Sequence, residues 1–244
     1  MRIAGVLLAS ALLVVGNAGA HDLPFDPALD FIPPAPGTYQ LPTIMPAPDG
    51  EVLDASGRPQ NLSRFTRGKI TLLDLIYTRC SDPDGCPRAT WAFADIKRRL
   101  QAERGLADNV RLVSLSFDPG HDTPALLKTY AARAMNGDKK FAWHFFTTAS
   151  PRSLMPLLEG FGQDLRVPVE PTADGAGPVF THTLKVFLID RQGLVREIYS
   201  TAFLLPRMVV NDIKTLLLER QPSVAGKHDA VSSRQDPGLR VLND

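Results

Sequence analysis

Residues 69–77 read KITLLDLIY, an apolar run rich in β-branched residues that is typical of a strand buried inside a sheet. A helix is expected directly after it, because Pro87 suits a first helical turn and the following positions form one apolar stripe: Ala92, Phe93, Ile96 and Leu100. Residues 110–117 (VRLVSLSF) predict the next strand. Because a helix separates the two strands, they are expected to lie parallel and to be joined by a right-handed crossover.

The rest of the chain continues this alternation of strands and helices. Short strands are expected on either side of a turn at residues 54–57. The later elements are, in order, a helix capped by Thr123, a strand at 141–148, a helix at 150–161, strands at 183–190 and 194–200, and a helix at 205–218. The predicted fold class is therefore α/β, with a central mixed sheet flanked by helices.

The two ends of the chain differ from this alternating middle. Residues 1–20 carry one charge, an apolar run and the small residues Ala18-Gly19-Ala20, which is typical of a cleaved secretory signal peptide. Residues 21–48 are rich in proline and predict an extended arm, whereas residues 221–244 are polar and predict a flexible tail. The folded domain is expected at residues 49–220 of a periplasmic or otherwise exported protein, which contacts a membrane only if the signal segment is retained.

Composition and charge limit what the chain can bind. It has 244 residues, of which 44% are hydrophobic and 22% charged, as is ordinary for one soluble globular domain. Lys and Arg together number 27 against 26 for Asp and Glu, which gives a formal net charge of +1. Because no large electrostatic field is available to hold a phosphate backbone, nucleic acid is not expected as a partner.

The only cysteines, Cys80 and Cys86, lie in the loop after the first buried strand. Ligands bind at the carboxyl ends of strands in open α/β sheets, so a redox-active or metal-binding pair is expected here. Cys86 also precedes a helix, whose free N–H groups should lower the pKa of its thiol. A disulfide that only braces the loop is the competing interpretation, since exported proteins commonly oxidise their cysteines. A structural zinc site fits less well, because the spacing matches no common zinc pattern.

Each of the five histidines has an ordinary interpretation when taken alone. His121 is expected in a solvated loop, His144 lies in an aromatic run at the edge of the core, and His182 opens a late strand. His21 would follow the cleavage site, where an amine and an imidazole together can chelate copper, although a first residue is more often disordered. His228 lies in the tail.

Three segments, taken in this order, resemble the Sco/SenC family of thioredoxin-like copper proteins. They match an aromatic-Thr-x-Cys start with a Cys-Pro finish, an S-x-D-P-x-x-D-T-P segment, and a histidine followed by a strand that ends Leu-Ile-Asp and then Gly. The matching residues are Tyr77-Thr78-Arg79-Cys80 with Cys86-Pro87, residues 116–124 (SFDPGHDTP), and His182 with Leu188-Ile189-Asp190 and Gly193. The resemblance extends over about residues 37–218.

The resemblance implies a thioredoxin-like fold with a copper site formed by Cys80, Cys86 and His182, and with Asp118 close to these ligands. Thiolates suit Cu(I) and an added imidazole makes Cu(II) acceptable, so one site can hold either oxidation state and pass the metal on. The family's usual recipient is the dinuclear copper centre of cytochrome c oxidase. A metallochaperone rather than an enzyme is therefore expected, with a client metalloprotein such as a cytochrome c oxidase subunit.

The spacing of the cysteines departs from the family pattern. The family places three residues between them, whereas this chain has five, from Ser81 to Gly85, including Asp82 and Asp84. Pro83 and Gly85 favour tight turns, so the sulfurs are still expected to converge. The affinity, the redox potential and the recipient are left open by the enlarged loop.

Other functions compete with copper delivery. A thiol–disulfide oxidoreductase would use Cys80 and Cys86 on client cysteines without stable metal. A peroxidase fits less well, because Thr78 lies two residues before Cys80 where the peroxiredoxin pattern requires three. An inert binding module with a structural disulfide would leave His182 and Asp118 without a role.

Overall fold

The structure is a computed structural model that describes residues 33–138, 140–166 and 180–219. The predicted signal peptide, the first part of the proline-rich arm and the C-terminal tail lie outside these described residues. Within the described ranges, every helix is too short or too polar to cross a lipid bilayer.

Eight strands form one mixed sheet, and two short strands pair separately. The strands are β1 (Met45–Pro46), β2 (Glu51–Asp54), β3 (Pro59–Asn61), β4 (Ile70–Ile76), β5 (Val110–Ser116), β6 (Trp143–Thr147), β7 (Leu165–Arg166), β8 (Thr181–His182), β9 (Val186–Ile189) and β10 (Leu194–Tyr199). The order across the main sheet is β1-β10-β9-β4-β5-β6-β2-β3, while β7 pairs with β8.

The predicted parallel centre of the sheet is confirmed. Strand β4 pairs in parallel with β5 from Ile70 opposite Val110 to Ile76 opposite Ser116, and β5 pairs in parallel with β6. Every residue of β4 is buried, as its continuous apolar run predicts for a strand covered on both faces. The carboxyl ends of β4 and β5 therefore lie side by side, which brings the loops that follow them together.

Helices cover both faces of the sheet. They are α1 (Ser63–Thr66), α2 (Cys86–Ala102), α3 (Pro124–Ala134), α4 (Pro151–Gly160) and α5 (Pro206–Leu218). Phe93 of α2 packs on Trp143 of β6 with ring centroids 5.8 Å apart, whereas the next residue, His144, points to the other face and packs on Phe65 of α1. The α/β class with a central mixed sheet flanked by helices is confirmed.

The strand expected at residues 183–190 is shorter than predicted, and His182 does not open it. Strand β9 begins at Val186, and His182 belongs to β8, where it lies opposite Leu165. The residues between the two strands are held by the residues just after α4: the Gln163 amide donates to the Thr183 carbonyl at 3.1 Å, and the Lys185 ammonium donates to the Gly162 carbonyl. The strand of the main sheet begins only after these contacts, at Val186.

The described part of the proline-rich arm lies on the domain. Met45 and Pro46 form β1, which pairs with the start of β10 at the edge of the sheet. The Arg196 guanidinium donates to the Leu41 carbonyl at 2.9 Å, and the Gly37 N–H donates to the Thr215 hydroxyl of α5 at 3.0 Å. The arm therefore covers an edge strand that would otherwise expose unpaired backbone groups.

Candidate metal centre

The loop between β4 and α2 is folded by two successive turns. The Cys80 N–H donates to the Tyr77 carbonyl at 3.2 Å, and the Gly85 N–H donates to the Asp82 carbonyl at 3.0 Å. The Asp82 side chain also accepts the Asp84 N–H at 3.0 Å. These turns shorten the path across the enlarged loop, so the predicted convergence of Cys80 with Cys86, the first residue of α2, is observed.

The Cys80 sulfur packs against Gly85. A Cβ atom at this position would lie 3.0 Å from the Cys80 Sγ, so a larger residue would require that sulfur to shift. The two cysteines are not joined by a disulfide, and their side chains are close enough to hydrogen-bond. Cys86 is only 1% exposed, whereas Cys80 is half-buried. One thiol of the pair is thus accessible and the other is sealed beneath it.

The predicted lowering of the Cys86 pKa is wrong. The hydrogen bond with the Cys80 thiol, followed by burial, raises the pKa of the Cys86 thiol, while the Tyr77 backbone N–H acts in the opposite direction. For a buried thiol beside another thiol, the free-energy cost of ionisation exceeds the stabilisation that the N-terminus of α2 gives to the thiolate. Removal of the Cys86 proton is therefore the costly part of forming a dithiolate.

Tyr77 links the cysteine loop to the segment that contains His182. Its ring packs edge-on against Phe180, with centroids 5.1 Å apart, and both rings contact Phe117 at the end of β5. Burial, and then the nearby Cys80 thiol, raise the pKa of the Tyr77 hydroxyl to about 12. Three segments that are distant in sequence are thus held together by one aromatic cluster.

A cavity of about 450 Å³ opens beside Cys80. It is lined by Tyr77, Cys80, Ser81, Asp82, Asp84, Gly85, Phe180, Thr183, Leu184 and Thr201. A larger cavity of about 830 Å³ lies where the arm meets β10, but its lining within the described residues includes no Cys or His. The smaller cavity is therefore the one that can serve thiol or metal chemistry.

Asp122 and Asp118 tie the loop after β5 to the residues that precede Cys80. The fully buried Asp122 carboxylate accepts the Thr78 N–H at 3.0 Å, the Thr78 hydroxyl at 2.5 Å and the Ser116 hydroxyl at 2.6 Å. Asp118 pairs with Arg79 at 2.6 Å. Asp118 therefore contacts the residue that precedes Cys80, and its place close to the copper ligands stays a prediction. The bonds from Asp122 to Thr78 were not predicted from the sequence.

The structure places the backbone of His182 but not its side chain, which lies outside the described part of the chain. Three flanking residues are described, and all of them line the cavity beside Cys80: Phe180, Thr183 and Leu184. Among the described side chains, no group of three or more His, Cys, Asp or Glu residues is arranged to hold a metal ion. His182 therefore remains a predicted third ligand, and its described neighbours line the cavity beside Cys80.

The other histidines lie elsewhere. His144 packs between Phe65 and Phe146, and burial, followed by Arg111 and Lys69, lowers its pKa to about 4. It is a neutral residue at the edge of the core, as its aromatic surroundings predict. His121 is half-buried in the loop after β5. His21 and His228 lie outside the described residues.

Comparison with known proteins identifies related sequences. A family model for SCO1/SenC matches residues 49–218. The SCO1 protein homolog of Bacillus subtilis (strain 168) is 28% identical over 152 residues, which are 61% of this chain and 72% of that protein.

Solved structures share the fold. Bradyrhizobium japonicum ScoI with copper bound gives a TM-score of 0.53 at 23% identity, covering 68% of this chain and 96% of that one. BsSco is a member of the Sco family of cytochrome c oxidase assembly proteins in which a disulfide switch has been identified. It gives a TM-score of 0.54 at 22% identity, covering 75% of this chain and 100% of that one. The predicted thioredoxin-like fold is confirmed. Because the family model matches residues 49–218, which include strands β2 to β10 and both loops of the cysteine site, the chain belongs to the SCO1/SenC family.

Proposed function

We propose that this chain is an exported metallochaperone that binds copper through Cys80, Cys86 and His182. The observation that carries the proposal is the contact between the two thiols, of which Cys80 lines a cavity that the neighbours of His182 also line. Two thiolates make a soft site that selects Cu(I), and one imidazole makes Cu(II) acceptable beside them. The fold relative from Bradyrhizobium japonicum, solved with copper bound, supports this choice of metal.

The chain's own residues prepare the site in different ways. Cys86 is fixed at the start of α2, while Cys80 is positioned through Thr78 and Arg79 by the two aspartates of the next loop. Cys80 lines the open cavity, so it is the ligand that an incoming or outgoing copper ion meets first. Copper is the cargo here, and what the fold supplies is a pair of thiols that can exchange it.

The recipient we propose is an exported metalloprotein such as a cytochrome c oxidase subunit. The described family role of BsSco in cytochrome c oxidase assembly supports this client. Export follows from the signal-like residues 1–20, and membrane contact requires that this segment be retained. The enlarged loop with Asp82 and Asp84 forms part of the cavity wall and is exposed, so it would contact the client during transfer.

A thiol–disulfide oxidoreductase is the second candidate function. The unequal exposure of the two thiols favours it, because an accessible Cys80 can form a mixed disulfide that a buried Cys86 then resolves. Both candidates need the same two reduced cysteines. They differ in whether the reduced pair holds copper.

Oxidation of the cysteine pair is expected to block copper loading. A disulfide sulfur is not a thiolate ligand, so the oxidised protein should take up less than about a tenth of the copper held by the reduced protein. Mass spectrometry would establish the intramolecular Cys80–Cys86 link, and metal analysis would give the copper content of each form. Re-reduction should restore loading, which controls for damage during oxidation. Full loading of the oxidised form would contradict the proposed ligands.

A further inference from the structure

The cavity beside Cys80 carries charge of one sign. Among the described residues that line it, the only charged side chains are Asp82 and Asp84 of the enlarged loop. Both residues are exposed, and the Asp84 side chain is 63% exposed. The Asp82 carboxylate accepts the Asp84 N–H at 3.0 Å and makes no ion pair within the described part of the chain. The mouth of the cavity therefore presents negative charge to an approaching molecule.

The cations near this loop are turned inward. Arg88 pairs with Asp84 at 3.2 Å, but its own side chain is only 12% exposed. Arg79 pairs with the buried Asp118 at 2.6 Å, and its side chain is 26% exposed. Arg207, at the start of α5, lines a separate groove between α2 and α5. The loop acids are thus the charged groups that an incoming molecule meets first.

An exposed aromatic residue lies beside the acids. Phe203 is 58% exposed and ends a one-turn 3-10 helix that begins at Thr201. The Thr201 hydroxyl lies 3.5 Å from the Asp84 carbonyl, so this turn contacts the loop, and Phe203 follows only two residues later. Phe180 and Leu184 add apolar surface to the cavity wall. The mouth of the cavity thus has an apolar part next to its negative part.

We propose that the enlarged loop selects a client segment in which Lys or Arg flanks a cysteine and an apolar side chain lies next to it. The client's cations would pair with Asp82 and Asp84, and its apolar side chain would pack on Phe203. Charges at the rim of an interface act mainly on the rate of association and make that rate dependent on salt. The inference rests on the proposed function in taking a protein client that meets Cys80.

Peptide disulfides test the charge preference without copper. The probes are disulfide-linked dimers of the end-capped peptides Lys-Leu-Cys-Lys and Glu-Leu-Cys-Glu. The Cys80 thiolate attacks one probe sulfur and forms a mixed disulfide, and the other peptide leaves as a thiolate with the electron pair of the broken bond. Each rate of peptide release is divided by the rate of the same probe with mercaptoethanol, a neutral thiol, which removes the intrinsic reactivity of the probe.

The reduced, metal-free wild type is expected to prefer the lysine probe by at least about fivefold at low salt, because opposite charges attract at the cavity mouth and like charges repel. This preference should approach one in about 1 M salt, where the Debye length is about 3 Å. The double variant with Asp82→Asn and Asp84→Asn should bring the low-salt preference to within about twofold of one. Asparagine keeps a side-chain oxygen for the backbone N–H at position 84.

Asp108→Asn is the matched control for charge. Asp108 is an exposed acid just before β5, at the opposite end of that strand from the cysteine loop, and its loss should leave the preference unchanged. A change in the reactivity of Cys80 itself would affect both probes equally and cancel in the ratio. Phe203→Ser should keep the charge preference. It should remove an advantage of about threefold that the leucine probe has in the wild type over a Lys-Ser-Cys-Lys probe.

Three outcomes would overturn the proposal: equal normalised wild-type rates for the lysine and glutamate probes at low salt, a preference unchanged in the double variant, or a leucine advantage unchanged in Phe203→Ser. The salt dependence of the wild type decides the question of charge even if a variant does not fold. Copper content, measured separately, reports on the proposed function. A chain that binds no copper but keeps the salt-sensitive preference would contradict the metallochaperone and support the selective loop.

Discussion

Replacement of either cysteine by serine is expected to abolish tight Cu(I) binding while the fold is retained. Cys80→Ser and Cys86→Ser each remove one of two soft ligands, and a hydroxyl is a poor donor for Cu(I). Changes in groups that only orient a ligand cost about 10- to 100-fold in metal affinity, so loss of a ligand should cost more than about a hundredfold. Competition with a Cu(I) chelator would measure the loss.

The fold should survive both substitutions, because serine is similar in size to cysteine and the pair is not a structural disulfide in this structure. Circular dichroism provides that check. Ser81→Ala serves as the control, since Ser81 lines the same cavity without being a predicted ligand. Copper affinity that stays at the wild-type value in both cysteine variants would remove the proposed site.

Replacement of His182 by alanine is expected to separate the two oxidation states of copper. Two thiolates can hold Cu(I) by themselves, so Cu(I) affinity should fall by less than about tenfold, whereas Cu(II) affinity should fall by more than about a hundredfold. The thiolate-to-Cu(II) charge-transfer absorption should collapse with it. Disulfide exchange needs no imidazole at this position and should continue.

His121→Ala is the matched control for the histidine experiment. It removes an imidazole from the neighbouring loop after β5, which is not a predicted ligand, and should leave the Cu(II) spectrum unchanged. If His182→Ala binds Cu(II) with the wild-type spectrum and affinity, His182 is not a ligand and the three-residue site is wrong.

The convergence of the cysteine loop with the loop after β5 could be predicted from sequence because it follows from backbone rules. Residues 69–77 and 110–117 are long, apolar and separated by a helix, so their parallel pairing and the meeting of their following loops are nearly obligatory. His182 is different. It lies about a hundred residues after Cys80, and only the family resemblance linked it to the cysteines. Even the local expectation was inaccurate, because His182 belongs to β8 rather than to the strand after it.

Side-chain chemistry was harder to predict than topology. Asp74 is a single acid in an apolar run, and periodicity treats such a strand as buried without saying which groups it leaves unpaired. The direction of the Cys86 pKa depends on a hydrogen bond and on burial, both of which arise only once the loop has folded. Likewise, the bonds from Asp122 to Thr78 join residues 44 positions apart.

The most direct test of the copper site is a copper and thiol titration of the reduced, metal-free protein. The chain has two cysteines, so two thiols should react with a thiol reagent before copper is added. Cu(I) should then bind at about one ion per chain, and both thiols should become unreactive as it does. A reduced protein that binds no copper, or that binds copper while both thiols stay reactive, would contradict the assignment.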